Sequence, residues 1–116
     1  MDINVLFAAM PVTDFETAQA WYERFFARPA DVVAHKTEVM WQITEGAWLY
    51  VVGDPDRAGR STVAIAVSDI EQTTSALATR GLQVGPIEPE GDAGRKAMIC
   101  DPDGNTIAII EVTSGG

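Results

Sequence analysis

The sequence predicts an α+β fold made of two similar βαβββ modules, and three observations lead there. Val12-Thr13-Asp14-Phe15-Glu16 returns, slightly altered, 55 positions later as Val67-Ser68-Asp69-Ile70-Glu71, an offset close to half of the 116-residue chain. Ala9 and Ala64 match at the same offset, and Met10 and Ile65 are both apolar. In each copy an apolar, strand-like run ends at Thr or Ser, an Asp follows, and a helical pattern begins. Asp is a favoured helix N-cap because its carboxylate accepts hydrogen bonds from the free amides of the first turn. Self-similarity of this kind marks a repeated supersecondary unit.

The elements follow in order. A strand is expected over Val5 to Met10. The helix after Asp14 runs to about Ala27, because Phe15, Ala18, Trp21, Tyr22, Phe25 and Phe26 recur at spacings of three and four and define one buried stripe. Pro29 stops it. Three short strands come next, at Asp31 to Ala34, Val39 to Ile43 and Ala47 to Val52. In the middle one Val39, Trp41 and Ile43 alternate with Met40 and Gln42. Glu45-Gly46 makes a tight turn that pairs the last two as a hairpin.

The polar, turn-rich stretch up to Ser61 reads as a linker between the halves. Thr62 to Val67 is then a strand, and Asp69 to about Arg80 a helix with Ile70, Thr73, Thr74, Leu77 and Ala78 on its inner face. Gln72, three residues after Asp69, completes a capping box. Gly81 is a natural C-cap. Strands are expected at Leu82 to Ile87, Lys96 to Cys100 and Thr106 to Val112. Pro89-Glu90-Gly91-Asp92 and Asp101-Pro102-Asp103-Gly104-Asn105 are turn signals between them. The tail 113–116 is expected to fray. The chain is read as one domain, with a first module over about 1–53, a linker over 54–61 and a second module over about 62–113.

Composition bounds the function. The chain is 47% apolar and 22% charged, as in globular proteins. No apolar run approaches the roughly 18 residues of a membrane span, and no basic stretch leads into an apolar block, so neither an anchor nor a secretory signal is expected. Cys100 is the single cysteine, which rules out an intrachain disulfide and fits a reducing, cytoplasmic setting. The net charge of −9 argues against nucleic acid and anionic membranes as partners, since both need a basic surface. It fits a cationic ligand, and more simply solubility.

With the order βαβββ, linker, βαβββ in place, the chain resembles the vicinal oxygen chelate superfamily, the group of glyoxalase I, bleomycin-resistance proteins and extradiol dioxygenases. The likeness is carried by Pro11-Val12-Thr13-Asp14-Phe15-Glu16 leading into Trp21-Tyr22-Glu23-Arg24-Phe25-Phe26, by the second V-x-D-I-E, and by Cys100-Asp101-Pro102-Asp103-Gly104-Asn105-Thr106-Ile107. The resemblance implies that the two modules form an open, cleft-bearing curved sheet with the helices on the outer face, and that the protein is a homodimer. By strand alternation Leu6, Ala8 and Met10 lie under the first helix, and Val5, Phe7 and Ala9 face away from it. Likewise Val63, Ile65 and Val67 lie under the second helix, and Thr62, Ala64 and Ala66 face away.

Family enzymes hold one divalent metal with His, Glu or Gln side chains from the first and last strands of each module. Aligned on the V-x-D motifs, those positions fall on Phe7 and Thr62; aligned on the D-P-D-G-N turn, on Ala108; the fourth, on the fourth strand and without a motif to anchor it, falls on Tyr50. Phe and Ala cannot ligate, and a lone Thr and Tyr make a poor site for metals that want imidazole, carboxylate or thiolate. The expectation is therefore no catalytic metal, no cofactor and no catalytic residue, with ligand-binding residues at Phe7, Trp41, Trp48, Tyr50, Thr62 and Ala108. Aromatic walls beside small residues suit a planar or cationic organic molecule. The resemblance to metal-free bleomycin-binding relatives implies antibiotic sequestration; a glyoxalase-like lyase or isomerase, or a dioxygenase-related enzyme with a non-standard site, is the alternative. His35 reads as an exposed strand-edge residue, Cys100 as a small buried filler, and Asp101 and Asp103 as groups that bond the amides of their own turn.

Overall fold

A computed structural model describes residues 1–92 and 94–112; the tail 113–116, expected to fray, lies outside the described residues. The elements are β1 (Leu6–Val12), α1 (Phe15–Phe26), β2 (Val32–His35), β3 (Glu38–Thr44), β4 (Ala47–Gly53), β5 (Thr62–Ala66), α2 (Ile70–Thr79), β6 (Glu88–Pro89), β7 (Gly94–Cys100) and β8 (Thr106–Val112). The strands form two four-stranded sheets with the same topology, β1-β4-β3-β2 and β5-β8-β7-β6. In each, the first strand pairs in parallel with the last strand of its module and the other ladders are antiparallel. The chain divides into two compact units, Met1–Ser61 with Asp101–Asn105, and Thr62–Cys100 with the strand from Thr106.

In the first unit, Asp14 caps α1 by accepting the Thr17 amide at 3.1 Å. That bond holds the Asp14 carboxyl below its ordinary range. The helix lays Ala18, Trp21, Tyr22 and Phe25 on the sheet face formed by Met10, Val39, Trp41, Leu49 and Val51, all buried. Its chain leaves through Ala27 in the left-handed region, φ 59°, two residues before Pro29. Leu6, expected under this helix, is 62% exposed: β1 begins there, beyond the reach of α1.

The turn 101–105 is grouped with the first unit, and its bonds show why its residue types are needed. Asp101 is 5% exposed and Asn105 fully buried. One oxygen of Asp101 accepts the Asp103 and Asn105 amides, at 2.9 and 3.0 Å. The other accepts the Tyr22 hydroxyl at 2.9 Å and Asn105 Nδ2 at 2.8 Å. Asn105 also donates to the Pro11 carbonyl, 2.8 Å, and accepts the Ser61 amide, 2.9 Å. Asp103 accepts the Thr13 amide at 3.1 Å. Gly59 lies against the same turn with φ 82°, and a Cβ there would meet the Asp103 carbonyl oxygen at 2.5 Å. Burial, reinforced by the Asp101 charge, pushes the Tyr22 phenol above its ordinary range.

The second unit repeats the plan in aliphatic residues. Asp69 caps α2 through the Gln72 amide, 3.0 Å, and Gly81 follows the helix with φ 81°. Ile70, Leu77 and Leu82 are buried, as are Ala97 and Ile99 of β7 and Ile107 and Ile109 of β8. Glu111 adds a second cap, accepting the Ile70 amide at 2.9 Å, and pairs with Arg95 at 2.7 Å. These bonds hold its carboxyl below its ordinary range.

The strand expected at Leu82 to Ile87 does not form as such. The segment makes a single bridge, Val84 to Ile99, and the ladder proper is only Glu88–Pro89. Pro86 and Pro89 remove amide donors, which confines this segment to a short edge.

Substituting Tyr22→Phe deletes one of four donors to a buried carboxylate. Urea unfolding is expected to show a loss of about 1–3 kcal/mol, with the circular dichroism spectrum of the native protein unchanged. A loss near zero would mean that the hydroxyl does not matter to the anchoring of the turn.

Candidate functional site

α1 covers one face of the first sheet; the register fixes which side chains occupy the other. Pairing of Phe7 with Trp48 and Ala9 with Tyr50, then of Trp48 with Gln42 and Tyr50 with Met40, and of Met40 with Val32, sets these residues on the helix-free face. Phe7 is 53% exposed. Trp48, Tyr50 and Met40 are partly exposed. The rings of Phe7 and Trp48 lie 6.4 Å apart at an interplanar angle of 27°. Val32, at 41% exposure, extends the apolar surface at the β2 edge.

Phe7, Trp48 and Tyr50 thus share one face of the first sheet. Trp41 is not with them. It is completely buried on the α1 side, stacked on Phe26 at 5.2 Å, with its indole N–H donating to the Arg28 carbonyl at 3.1 Å. A regular two-residue hairpin continuing from the Thr44–Ala47 pair would set Trp41 opposite Tyr50. The register shift between Gln42 and Thr44 sets it opposite Leu49 instead. One residue of slip exchanges the two faces of a strand. The same shift brings Met40 and Gln42 to the exposed aromatic face, where sequence reasoning had not placed them; their alternation with Trp41 was the available signal.

In the second unit Thr62 and Ala108 share the helix-free face of their own sheet. Thr62 pairs with Thr106, Ala64 with Ala108, and Ala108 with Met98. Thr62, Ala64 and Ala66 are exposed, and so is Cys100. Cys100 is therefore not a buried filler: alternation sends Ile99 into the core and Cys100 outward. Glu111 caps α2 on the opposite face.

The positions expected from the family alignment to chelate hold a phenyl and a phenol in the first unit, and a hydroxyl and a methyl in the second. Neither pair by itself fits a transition-metal ion, which needs several imidazole, carboxylate or thiolate ligands. Among the described residues, no three His, Cys, Asp or Glu side chains gather as a possible metal cluster. His35 is an exposed residue of edge strand β2, with Nε2 3.3 Å from Glu38.

Two sheets of identical strand order, each crossed by one helix and each leaving one face open, define a duplicated βαβββ protein. The chain belongs to the Glyoxalase/Bleomycin resistance protein/Dioxygenase superfamily, whose model matches residues 4–109. A glyoxalase/bleomycin resistance protein from Catenulispora acidiphila is 36% identical, with a TM-score of 0.87 over 93% of this chain and 97% of that one. An antibiotic-binding protein from Streptomyces sp. CB03234 is 23% identical, TM-score 0.75, covering 94% of this chain and 95% of its own. A bleomycin-binding protein complexed with bleomycin is 20% identical, TM-score 0.74, covering 91% and 96%. The last two share the fold with this chain. No curated protein sequence matches it. Among the described residues no helix is long and apolar enough to cross a membrane.

Proposed function

We propose that this protein binds a flat organic molecule on the helix-free face of its first sheet, without a catalytic metal, and acts by sequestration. The observation that carries this reading is the stacked Phe7–Trp48 pair, with Phe7 exposed and Trp48 partly so, on a face that Tyr50, Met40 and Val32 extend. Exposed contiguous apolar surface on a globular protein marks a place of interaction, and rigid aromatic walls suit planar ligands. Relatives of the same fold that bind bleomycin or another antibiotic support a drug-like ligand. The metal-free part rests on the side-chain types at the aligned positions, Phe7 and Tyr50 in the first unit and Thr62 and Ala108 in the second, none of them an imidazole, carboxylate or thiolate. We further read the protein as a cytoplasmic homodimer, in keeping with the family resemblance.

Trp48 is the reporter for this function, since Trp21 and Trp41 are 8% and 0% exposed. Titration with a panel of flat aromatic antibiotics is expected to quench or shift the emission of the native protein with at least one compound. The response should vanish in Trp48→Phe, and Trp48→Ala should weaken that compound's binding about tenfold. A panel that leaves the emission unchanged would count against sequestration. Elemental analysis of protein purified without chelator is expected to show less than one equivalent of any transition metal; stoichiometric zinc, nickel, iron or manganese would return the chain to the metalloenzymes.

A further inference from the structure

The charges missing from the exposed face of the first sheet point to the chemistry of its ligand. Three rows cross that face: Phe7–Trp48–Gln42, Ala9–Tyr50–Met40–Val32, and Pro11–Val52–Glu38–His35. The first two rows hold rings, a thioether, small aliphatic groups and one amide. That amide is already turned aside, Gln42 Nε2 donating to the Glu45 carbonyl at 3.3 Å. The only carboxylate in the three rows is Glu38, one row beyond Tyr50 and two beyond the Phe7–Trp48 stack.

Glu38 is also engaged. His35 Nε2 lies 3.3 Å from its Oε1. The Thr37 amide, which can only donate, meets His35 Nδ1 at 3.4 Å. That contact occupies Nδ1 and leaves Nε2 as the ring nitrogen that faces Glu38. The carboxylates that border this surface are thus engaged: Glu38 lies against His35, and Asp31, which accepts the Gln42 amide at 2.7 Å, is paired with Arg28.

Resting on the function proposed above, we infer that the site selects its ligand by ring contact and shape, and that the ligand class is a neutral, flat, fused-ring molecule. A free carboxylate beside the rings would give a cation a charge-assisted bond of about 1.5–3 kcal/mol, more than tenfold in affinity. Here a flat cation gains only the attraction of exposed ring faces, about 0.5–1 kcal/mol, and a long-range field that salt screens.

The test uses two probes of one outline, N-methylacridone, which is neutral, and N-methylacridinium, a cation. Equilibrium dialysis against the full chain is run at about 50 and 500 mM salt. The neutral probe is expected to bind with the same Kd at both concentrations. The cation should bind within about fivefold of it at high salt. Glu38→Gln should change neither Kd by more than about twofold, and Trp48→Ala should weaken both. A cation more than about tenfold tighter at high salt, with that advantage lost in Glu38→Gln, would overturn this inference and leave the binding function standing. Failure of both probes to bind would overturn the two together.

Discussion

One helix covers one face of a four-stranded sheet, and among the described residues each unit has a single helix. In the first unit α1 seals the face of Val39, Trp41, Leu49 and Val51. The opposite face carries side chains of nearly equal apolar character, left open by its own helix. Two tryptophans show how strict that division is. Trp41 and Trp48 sit on adjacent strands of one hairpin; the first is a core residue with its N–H satisfied, the second is part of an exposed aromatic surface. Strand alternation, slipped by one residue between Gln42 and Thr44, assigns the two roles, and the functional reading follows from which side each ring is on.

The buried polar centre of the first unit is as economical. Asp101 is an almost fully buried carboxylate with four donors around its two oxygens, so burial does not leave it unpaired. Tyr22 supplies the side-chain donor from α1, and Asn105 relays the contact to Pro11 and Ser61. The turn therefore depends on Asp and Asn side chains with short reach, and on Gly59 where the backbone comes too close for a Cβ. Within the described residues no buried side-chain nitrogen or oxygen lacks a partner.

Most of the architecture was legible from local signals. The repeated V-x-D, the 3.6-residue stripe of α1 and the D-P-D-G-N turn act over a few residues, and each is a direct instruction to the backbone. What escaped was set by register or by distance. A single irregularity between Gln42 and Thr44 decided the face of Trp41 and brought Met40 into the exposed row. The proline pair 86 and 89 shortened β6 below what its apolar pattern suggested. The Tyr22–Asp101 bond joins residues 79 positions apart, and nothing in the periodicity of α1 distinguishes a tyrosine from a phenylalanine there. Cys100 turned outward because β7 alternates from Ile99, a parity that residue type alone does not show.

This fold hosts enzymes and binding proteins alike, so the side chains of the open faces, and not the architecture, decide the activity. The account stands on the claim that the surface of Phe7, Met40, Trp48 and Tyr50 is where a ligand sits. Side-chain NMR on the native protein, recorded while a flat antibiotic that binds is titrated in, addresses that claim directly. The Trp48 indole, the Met40 methyl and the rings of Phe7 and Tyr50 are expected to move together and saturate, while the Trp21 and Trp41 indoles stay in place. Saturating shifts confined to other residues, with these four unmoved, would contradict it.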